Sequence, residues 1–137
     1  MAGKARVAGS VVAGFPSPAE LYQEPPLDLN SFLVKRPEAT YFVKVEGDSM
    51  IGAGIREGDL LVVDRSLTPA NGDIIIAAVD GEFTVKTYRT GLKMGKDGRK
   101  HKFIVLEPAN PNYPTITFTA GQELLMYGKV TAVIHRL

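Results

Sequence analysis

The feature that most restricts the fold of this chain is a series of short β-type runs that begins after residue 40. Each run is rich in Val, Ile, Thr and aromatic residues, each is bounded by Gly, Asp or Pro, and no helical periodicity separates them. The seven runs are Tyr41–Glu46, Asp59–Asp64, Asp73–Val79, Glu82–Arg89, His101–Glu107, Thr115–Phe118 and Tyr127–His135. Asp80-Gly81, between two of them, is a hairpin signal because both residues tolerate positive φ. The pattern predicts a mostly-β domain over residues 41–137, built as a compact, curled β-sheet or barrel.

The segments before residue 41 lack this pattern. Residues 1–13 are small, polar or β-branched, and we expect them to form a flexible N-terminal arm. Residues 14–40 hold five of the nine prolines, which excludes a central strand or a long helix there. The prediction for this segment is an extended linker with one short helix at Leu27–Val34.

Composition excludes several classes of site. The chain has no cysteine, so disulfides, thiolate metal sites and cysteine nucleophiles are ruled out, and a reducing, cytoplasmic location is expected. No apolar run approaches the roughly 20 residues that cross a bilayer. The two histidines, His101 and His135, lie on different predicted strands with no carboxylate at ligand-like spacing, so no metal is predicted. The glycine-rich stretch 52–58 opens no βαβ unit, and no cofactor is predicted.

Charge is distributed unevenly, although the net charge is only +1. The segment Arg89–Lys102 carries six basic residues and one acid, for a local charge of +5, whereas the rest of the chain sums to −4. One interpretation is a solvated hairpin loop. The other is a contact for a phosphate backbone, which predicts weak, sequence-independent binding of single-stranded DNA through residues 89–102.

Two residues stand out chemically. Ser49 follows Gly47 at the end of the first run, where a strand that breaks at glycine exposes backbone amides able to stabilise an oxyanion. Lys86 lies inside the run Glu82–Arg89, and burial would lower the pKa of its amine until the neutral form could accept a proton. A serine beside such a lysine is a nucleophile with its base. The alternatives are an ordinary turn serine with a solvent-facing lysine, or a triad of Ser49 with a histidine and an aspartate.

Seven stretches resemble the UmuD family of self-cleaving SOS mutagenesis proteins, which is grouped with the LexA and phage repressors. They occur from Gly14 onward and coincide with that family in order and spacing. The stretches are Gly14–Ala19, Ala39–Lys44, Gly47–Met50, Gly58–Asp64, Gly72–Ile74, Ala77–Lys86 and Asn110–Ile116.

The resemblance implies a role for each matching residue. Ser49 would be the nucleophile and Lys86 the general base. The backbone amide of Ser49, with that of Asp48 or Met50, would hold the oxyanion. The scissile bond would be Ala13–Gly14, within the chain's own arm, and the fold would be a curled β domain of the LexA type.

The resemblance also implies partners. They are a second copy of the chain in a homodimer, a RecA-type recombinase filament on single-stranded DNA that stimulates cleavage, a UmuC-type polymerase subunit and a sliding clamp. The shortened form would be an accessory subunit of an error-prone translesion polymerase. Two alternatives stay open. One is a dimerising repressor-type domain without its DNA-binding part, although residues 1–40 cannot supply the two helices of a DNA-reading motif. The other is a binding module with an inert Ser-Lys pair.

Overall fold

The computed structural model describes residues 5–6, 10, 26–118 and 124–137. The chain divides into two units, Met1–Lys35 and Arg36–Leu137. No helix in the described part of the chain is both long and apolar enough to span a membrane.

The described residues of the first unit form two very short strands and one helical turn. β1 (Ala5–Arg6) pairs antiparallel with β2 (Pro26–Leu27), a pairing that the sequence did not predict. Helix α1 (Leu29–Leu33) follows, and the Asp28 side chain caps it by accepting a hydrogen bond from the Ser31 amide. The predicted helix at 27–34 is therefore present but shorter, because Val34 already has extended backbone.

The second unit is built on one seven-stranded sheet in which every neighbouring pair is antiparallel. The strand order is β3-β4-β9-β5-β6-β7-β8. All seven predicted runs form strands, and the mostly-β prediction is confirmed. The strands are β3 (Thr40–Lys44), β4 (Leu60–Asp64), β5 (Ile74–Val79), β6 (Glu82–Met94), β7 (Lys100–Glu107), β8 (Ile116–Phe118) and β9 (Leu125–Ile134). Short 3-10 helices occupy Pro37–Ala39 and Ile51–Ala53.

Two irregularities in β9 curl the sheet. The register of β9 shifts against β4 between Val62 and Val63, and against β5 between Ile76 and Ala77. One half of β9 therefore pairs with β5 and the other half with β4, as a strand does when bulges bend it. Gly128 lies between the shifts with a φ of 143°, and a Cβ there would come within 2.6 Å of a Val63 methyl group.

The core lies on both faces of this curled sheet. Neighbouring residues of β5 point to opposite faces, so Ile76 enters one cluster and Ile75 the other. The first cluster includes Met50, Ile55 and Leu61, and the second includes Tyr88 and Leu106. The continuous apolar run of β5 is explained by this burial on both faces.

The hairpins differ in how well the sequence predicted them. Asp80 and Gly81 have φ of 51° and 81°, which confirms the turn between β5 and β6. The segment 89–102, predicted as a loop between strands that end at Arg89 and begin at His101, is instead largely paired strand. β6 continues to Met94, β7 begins at Lys100, and only residues 95–99 make the turn.

Candidate active site

Ser49 and Lys86, far apart in the sequence, meet in the structure. The Lys86 Nζ lies 3.0 Å from the Ser49 Oγ, within hydrogen-bond distance. Ser49 is half-buried in the turn after β3, whereas Lys86 is only 6% exposed. The arrangement is that of a hydroxyl beside a potential proton acceptor.

Burial of Lys86 favours its neutral amine. Its Nζ donates hydrogen bonds to Thr84 Oγ1 at 2.6 Å and to the Val85 carbonyl at 3.1 Å. Among the described residues, no carboxylate forms an ion pair with it. Burial therefore lowers the pKa of Lys86 below the ordinary range of a lysine, since the charged form loses its hydration. A neutral amine has two N–H groups for Thr84 and Val85 and one lone pair for the serine proton.

The β5–β6 hairpin sets the position of Lys86. The tight turn at Asp80-Gly81 fixes the register in which Lys86 lies opposite Ile75. Alternation along β6 puts Thr84, Lys86 and Tyr88 on one face, and Tyr88 is 4% exposed in the second core cluster. The lysine is thus held on a strand at the border of a packed core.

The loop that carries Ser49 is fastened to the segment after β7. The Ala109 amide donates to the Ser49 carbonyl at 2.8 Å, and the Gly52 amide donates to the Ala109 carbonyl at 2.8 Å. Only glycine fits at position 52, because a Cβ there would lie 2.6 Å from the Ala109 oxygen. Gly47, with a φ of 80°, allows the chain to turn sharply out of β3.

The segment after β7 also contacts Asp48. Asn110 Nδ2 donates to the Asp48 carbonyl at 3.0 Å, and the Tyr113 hydroxyl donates to Asp48 Oδ1 at 2.6 Å. The bond to this carboxylate raises the pKa of Tyr113. Asp48 thereby attaches the loop that carries Ser49 to the segment after β7.

The three residues predicted to hold an oxyanion lie in this loop. None of the hydrogen bonds made by the described residues uses the amide of Asp48, Ser49 or Met50 as a donor. The Met50 side chain is buried in the first core cluster, which fixes the backbone beside the serine. These three N–H groups therefore have no hydrogen-bond acceptor among the described residues.

Two cavities open on either side of Ser49. One, of about 590 Å³, is bounded by Asp48, Lys86 and Tyr113. The other, of about 250 Å³, runs beside β3 toward Val43 and Val85. Within the described sheet, β3 is an edge strand, so its outer backbone groups are open to pairing with an extended peptide.

Neither histidine belongs to this site. His101 Nε2 lies 2.9 Å from Asp97, and His135 Nδ1 lies 2.6 Å from Asp59. No hydrogen bond among the described residues joins either ring to Ser49, so the alternative of a triad is wrong. The described residues also contain no group of three or more His, Cys, Asp or Glu that could hold a metal ion. The predicted scissile bond, Ala13–Gly14, lies outside the described residues.

Several residues that support the site have no role in the predictions made from the sequence. Thr84 is one of them, although spacing of two residues on a strand puts its hydroxyl within reach of the Lys86 amine. Ala109 and Tyr113 could not be connected with Ser49, because contacts this distant in sequence have no local signal. For Tyr113 the only signal was the match of Asn110–Ile116 to a known family, and Ala109, which precedes that stretch, had none.

Comparisons with known proteins show the family of the chain. The chain matches the family described as Peptidase S24-like over residues 6–131. It is 50% identical over 124 residues to Protein SamA of Salmonella typhimurium, covering 90% of this chain and 79% of SamA. It is 45% identical over 124 residues to Protein ImpA of Escherichia coli, covering 90% of this chain and 78% of ImpA. Against LexA repressor 1 of Geobacter sulfurreducens, the identity is 38% over 132 residues, or 96% of this chain and 60% of the repressor.

Proposed function

The chain belongs to the Peptidase S24-like family and is UmuD-like, and from this we propose that it is a Ser-Lys peptidase that cuts its own Ala13–Gly14 bond. The observation that carries the proposal is the 3.0 Å contact between the Ser49 Oγ and the Nζ of a lysine that is 6% exposed. A lysine that served only solubility would extend into water, because burial of an unpaired ammonium is costly.

In the proposed reaction, the neutral Lys86 amine takes the Ser49 proton as the Oγ attacks the Ala13 carbonyl carbon. A C–O bond forms, and the carbonyl electron pair moves to the oxygen. The Lys86 ammonium then gives its proton to the Gly14 nitrogen as the C–N bond breaks, which releases the Gly14 amine and leaves an Ala13 ester on Ser49. A water molecule hydrolyses the ester, with Lys86 again accepting and returning a proton.

The backbone around Ser49 would stabilise the negative charge in this reaction. The amides of Ser49 and of Asp48 or Met50 are the proposed oxyanion donors. Donors held by a fixed backbone need little reorganisation as charge develops. The two Ala109 hydrogen bonds and the buried Met50 side chain support this role, since they keep the loop in place.

The free edge of β3 is the proposed binding site for the N-terminal arm. An extended segment that pairs with this edge runs toward Ser49, and the cavity of about 250 Å³ would receive side chains on the Ala13 side of the cut. Val11 and Val12 suit extended backbone, and the small Ala13 and Gly14 leave room for attack.

The biological role is proposed from the relatives. SamA and ImpA are UmuD-like proteins of SOS mutagenesis. We therefore assign the cleaved form of this chain as a homodimeric accessory subunit of an error-prone translesion polymerase with a UmuC-type catalytic subunit and a sliding clamp. A RecA-type filament on single-stranded DNA would promote cleavage by favouring the conformer in which the arm is docked at Ser49.

Intact-mass spectrometry of the purified chain tests the proposal. After incubation at alkaline pH, or with a recombinase filament on single-stranded DNA and nucleotide, the product should begin at Gly14. Ser49→Ala should leave the chain whole under both conditions, whereas a control at a turn serine outside the site, Ser66→Ala, should be cut. Cleavage of Ser49→Ala at the same bond would show that the nucleophile is another residue.

A further inference from the structure

The hairpin of β6 and β7 continues beyond the rest of the sheet as a free two-stranded ribbon. β8 pairs with β7 only at residues 104–106, and β5 pairs with β6 only as far as Thr87. From the pair Gly91–Phe103 to the pair Met94–Lys100, the two strands pair with each other alone among the described residues. We call residues 91–103 the basic ribbon.

Positive charge covers the basic ribbon on both faces and at its tip. Its five exposed cations are Lys93, Lys96, Arg99, Lys100 and Lys102. None of them forms a salt bridge with a described carboxylate. Lys93 lies on one face and Lys100 and Lys102 on the other, because cross-strand partners share a face and neighbours along a strand alternate. Lys96 and Arg99 lie in the turn.

The single acid of the basic ribbon is used to shape its turn. Asp97 accepts a hydrogen bond from the Arg99 amide at 2.9 Å, and both of its oxygens lie 2.9 Å from His101 Nε2. The Gly95 amide donates to the Arg99 carbonyl at 2.8 Å. These hydrogen bonds define the backbone of the turn that carries Lys96 and Arg99.

The base of the basic ribbon is braced. The Asn71 side chain donates to the Thr90 carbonyl and accepts from the Thr90 amide, both at 3.1 Å. Arg89 pairs with Glu107 at 3.1 Å, so the charge at the base is balanced. Unbalanced charge begins only where the ribbon leaves the sheet, as expected for a contact surface.

The geometry distinguishes between polyanions. A loop that enters a membrane carries apolar side chains at its tip, but here the apolar Leu92 and Met94 lie in the strand, behind a turn whose side chains are Lys96, Asp97 and Arg99. A single-strand site needs exposed aromatic rings for stacking, but the Phe103 ring covers Gly91. A two-stranded ribbon with its side chains is about 10 Å thick. It therefore fits the major groove of duplex DNA, which is about 12 Å wide and has phosphates on both walls.

We propose that the basic ribbon is a sequence-independent docking element for duplex DNA, inserted in the major groove with its lysines on the flanking phosphates. This partner differs from the single strand that the sequence alone predicted, because the segment is a ribbon and not a loop. The inference does not depend on peptidase activity.

The test is fluorescence anisotropy at low salt with a labelled duplex and the corresponding single strand. The full chain carries Ser49→Ala so that it stays intact. The ribbon variant combines Lys96→Gln, Lys100→Gln and Lys102→Gln. The matched control, which loses the same charge elsewhere on the surface, combines Lys35→Gln, Arg56→Gln and Arg136→Gln. All substituted side chains are exposed, and equal thermal midpoints verify the fold.

The ribbon variant should bind the duplex at least about tenfold more weakly than the control. Its affinity should also depend less steeply on salt, with the slope falling by about one for each phosphate that the ribbon no longer neutralises. The parent should prefer the duplex to the single strand. The proposal is overturned if both variants bind equally, if the single strand binds as well as the duplex, or if vesicles containing phosphatidylserine compete the duplex away.

Discussion

At the scale of single residues, the proposed chemistry depends on a buried lysine that has no carboxylate partner among the described residues. The sequence indicated Ser49 and Lys86 as chemically unusual but could not pair them, since no rule of spacing joins residues on different strands. The resemblance to UmuD proteins paired Ser49 with Lys86, and in the structure the Ser49 Oγ lies 3.0 Å from the Lys86 Nζ. Thr84 also contacts the Lys86 amine. Strand alternation places it on the same face as Lys86, but nothing in the sequence distinguishes it from other strand threonines.

The Thr84 hydroxyl should position the Lys86 amine. Thr84→Val keeps the side-chain shape but removes the acceptor that lies 2.6 Å from Nζ. One lost hydrogen bond of about 1 kcal/mol corresponds to roughly a fivefold slower self-cleavage at the plateau. Because that hydrogen bond also stabilises the ammonium, its loss should lower the pKa of Lys86 and move the midpoint of the pH–rate profile down.

Thr84→Ser provides the control, since it keeps an acceptor at the same place. Its plateau rate and midpoint should both resemble those of the parent. A slow Thr84→Val with an unchanged midpoint would indicate a general packing effect instead of a contact with the amine.

Lys86 should also lower the stability of the fold at neutral pH. Its pKa is lower in the folded chain than in the unfolded chain, so the folded state bears the cost of a buried charge until the pH rises through the folded pKa. Lys86→Met removes a desolvation cost of several kcal/mol and gives up hydrogen bonds of about 1 kcal/mol each. Urea unfolding should therefore find the variant more stable at pH 7, with the difference shrinking near pH 10. Equal differences at both pH values would argue against this explanation.

At the scale of elements, the serine loop depends on its attachment to the segment after β7. The Ala109 amide and carbonyl hold Ser49 and Gly52 with two backbone hydrogen bonds. These contacts fix the hydroxyl relative to β6, which belongs to a different part of the sheet. The sequence predicted the strand before Ser49 well, but a loop-to-loop contact leaves no periodic signal.

Gly52→Ala tests this attachment. The added methyl group would lie 2.6 Å from the Ala109 oxygen, so the loop must move and the Ser49 Oγ with it. A shift of about 1 Å in a catalytic group can cost about a hundredfold in rate, and we expect a loss of that order in the cleavage assay. Gly54→Asn is the control, because space beside Gly54 is open and Asn tolerates its φ of 80°. Equal rates for the two variants would mean that the loop is positioned by other contacts.

Strand bounds show where local reasoning succeeds. Runs rich in Val and Ile, such as β4 and β5, were placed to within a residue because they are both β-prone and buried. The extension of β6 through Thr90-Gly-Leu-Lys-Met was missed because glycine and lysine have low β propensity. Pairing with β7 overrides that preference, and the pairing is tertiary information that a short window lacks.

At the largest scale, the unit Arg36–Leu137 brings segments that are distant in sequence to one place by curling its seven-stranded sheet. β9 pairs with both β4 and β5, and β5 is buried on both faces. Alternating runs predicted the β class, but the strand order and the register shifts of β9 follow from packing. The sequence was therefore equally consistent with a barrel and with a curled sheet.

Homodimer formation is a further prediction at this scale. Several large apolar side chains remain exposed on the unit Arg36–Leu137, including Phe42, Phe83 and Leu125 at more than half of their surface. Burial of such side chains between two copies is favourable. Sedimentation equilibrium should give twice the chain mass of 14.8 kDa at micromolar concentration. A single species of monomer mass at all accessible concentrations would contradict the prediction.

In the proposed mechanism a neutral, buried Lys86 activates Ser49 to cut the Ala13–Gly14 bond, so the rate of self-cleavage must depend on pH. The measurement is the first-order rate of appearance of the Gly14 product between about pH 6 and pH 11, determined by intact mass. We expect the rate to rise with pH to a plateau, with the midpoint of the rise below the ordinary lysine pKa, and we expect no product from Lys86→Ala at neutral pH. A rate that does not change across this range, or a Lys86→Ala variant that is cut as fast as the parent, would contradict it.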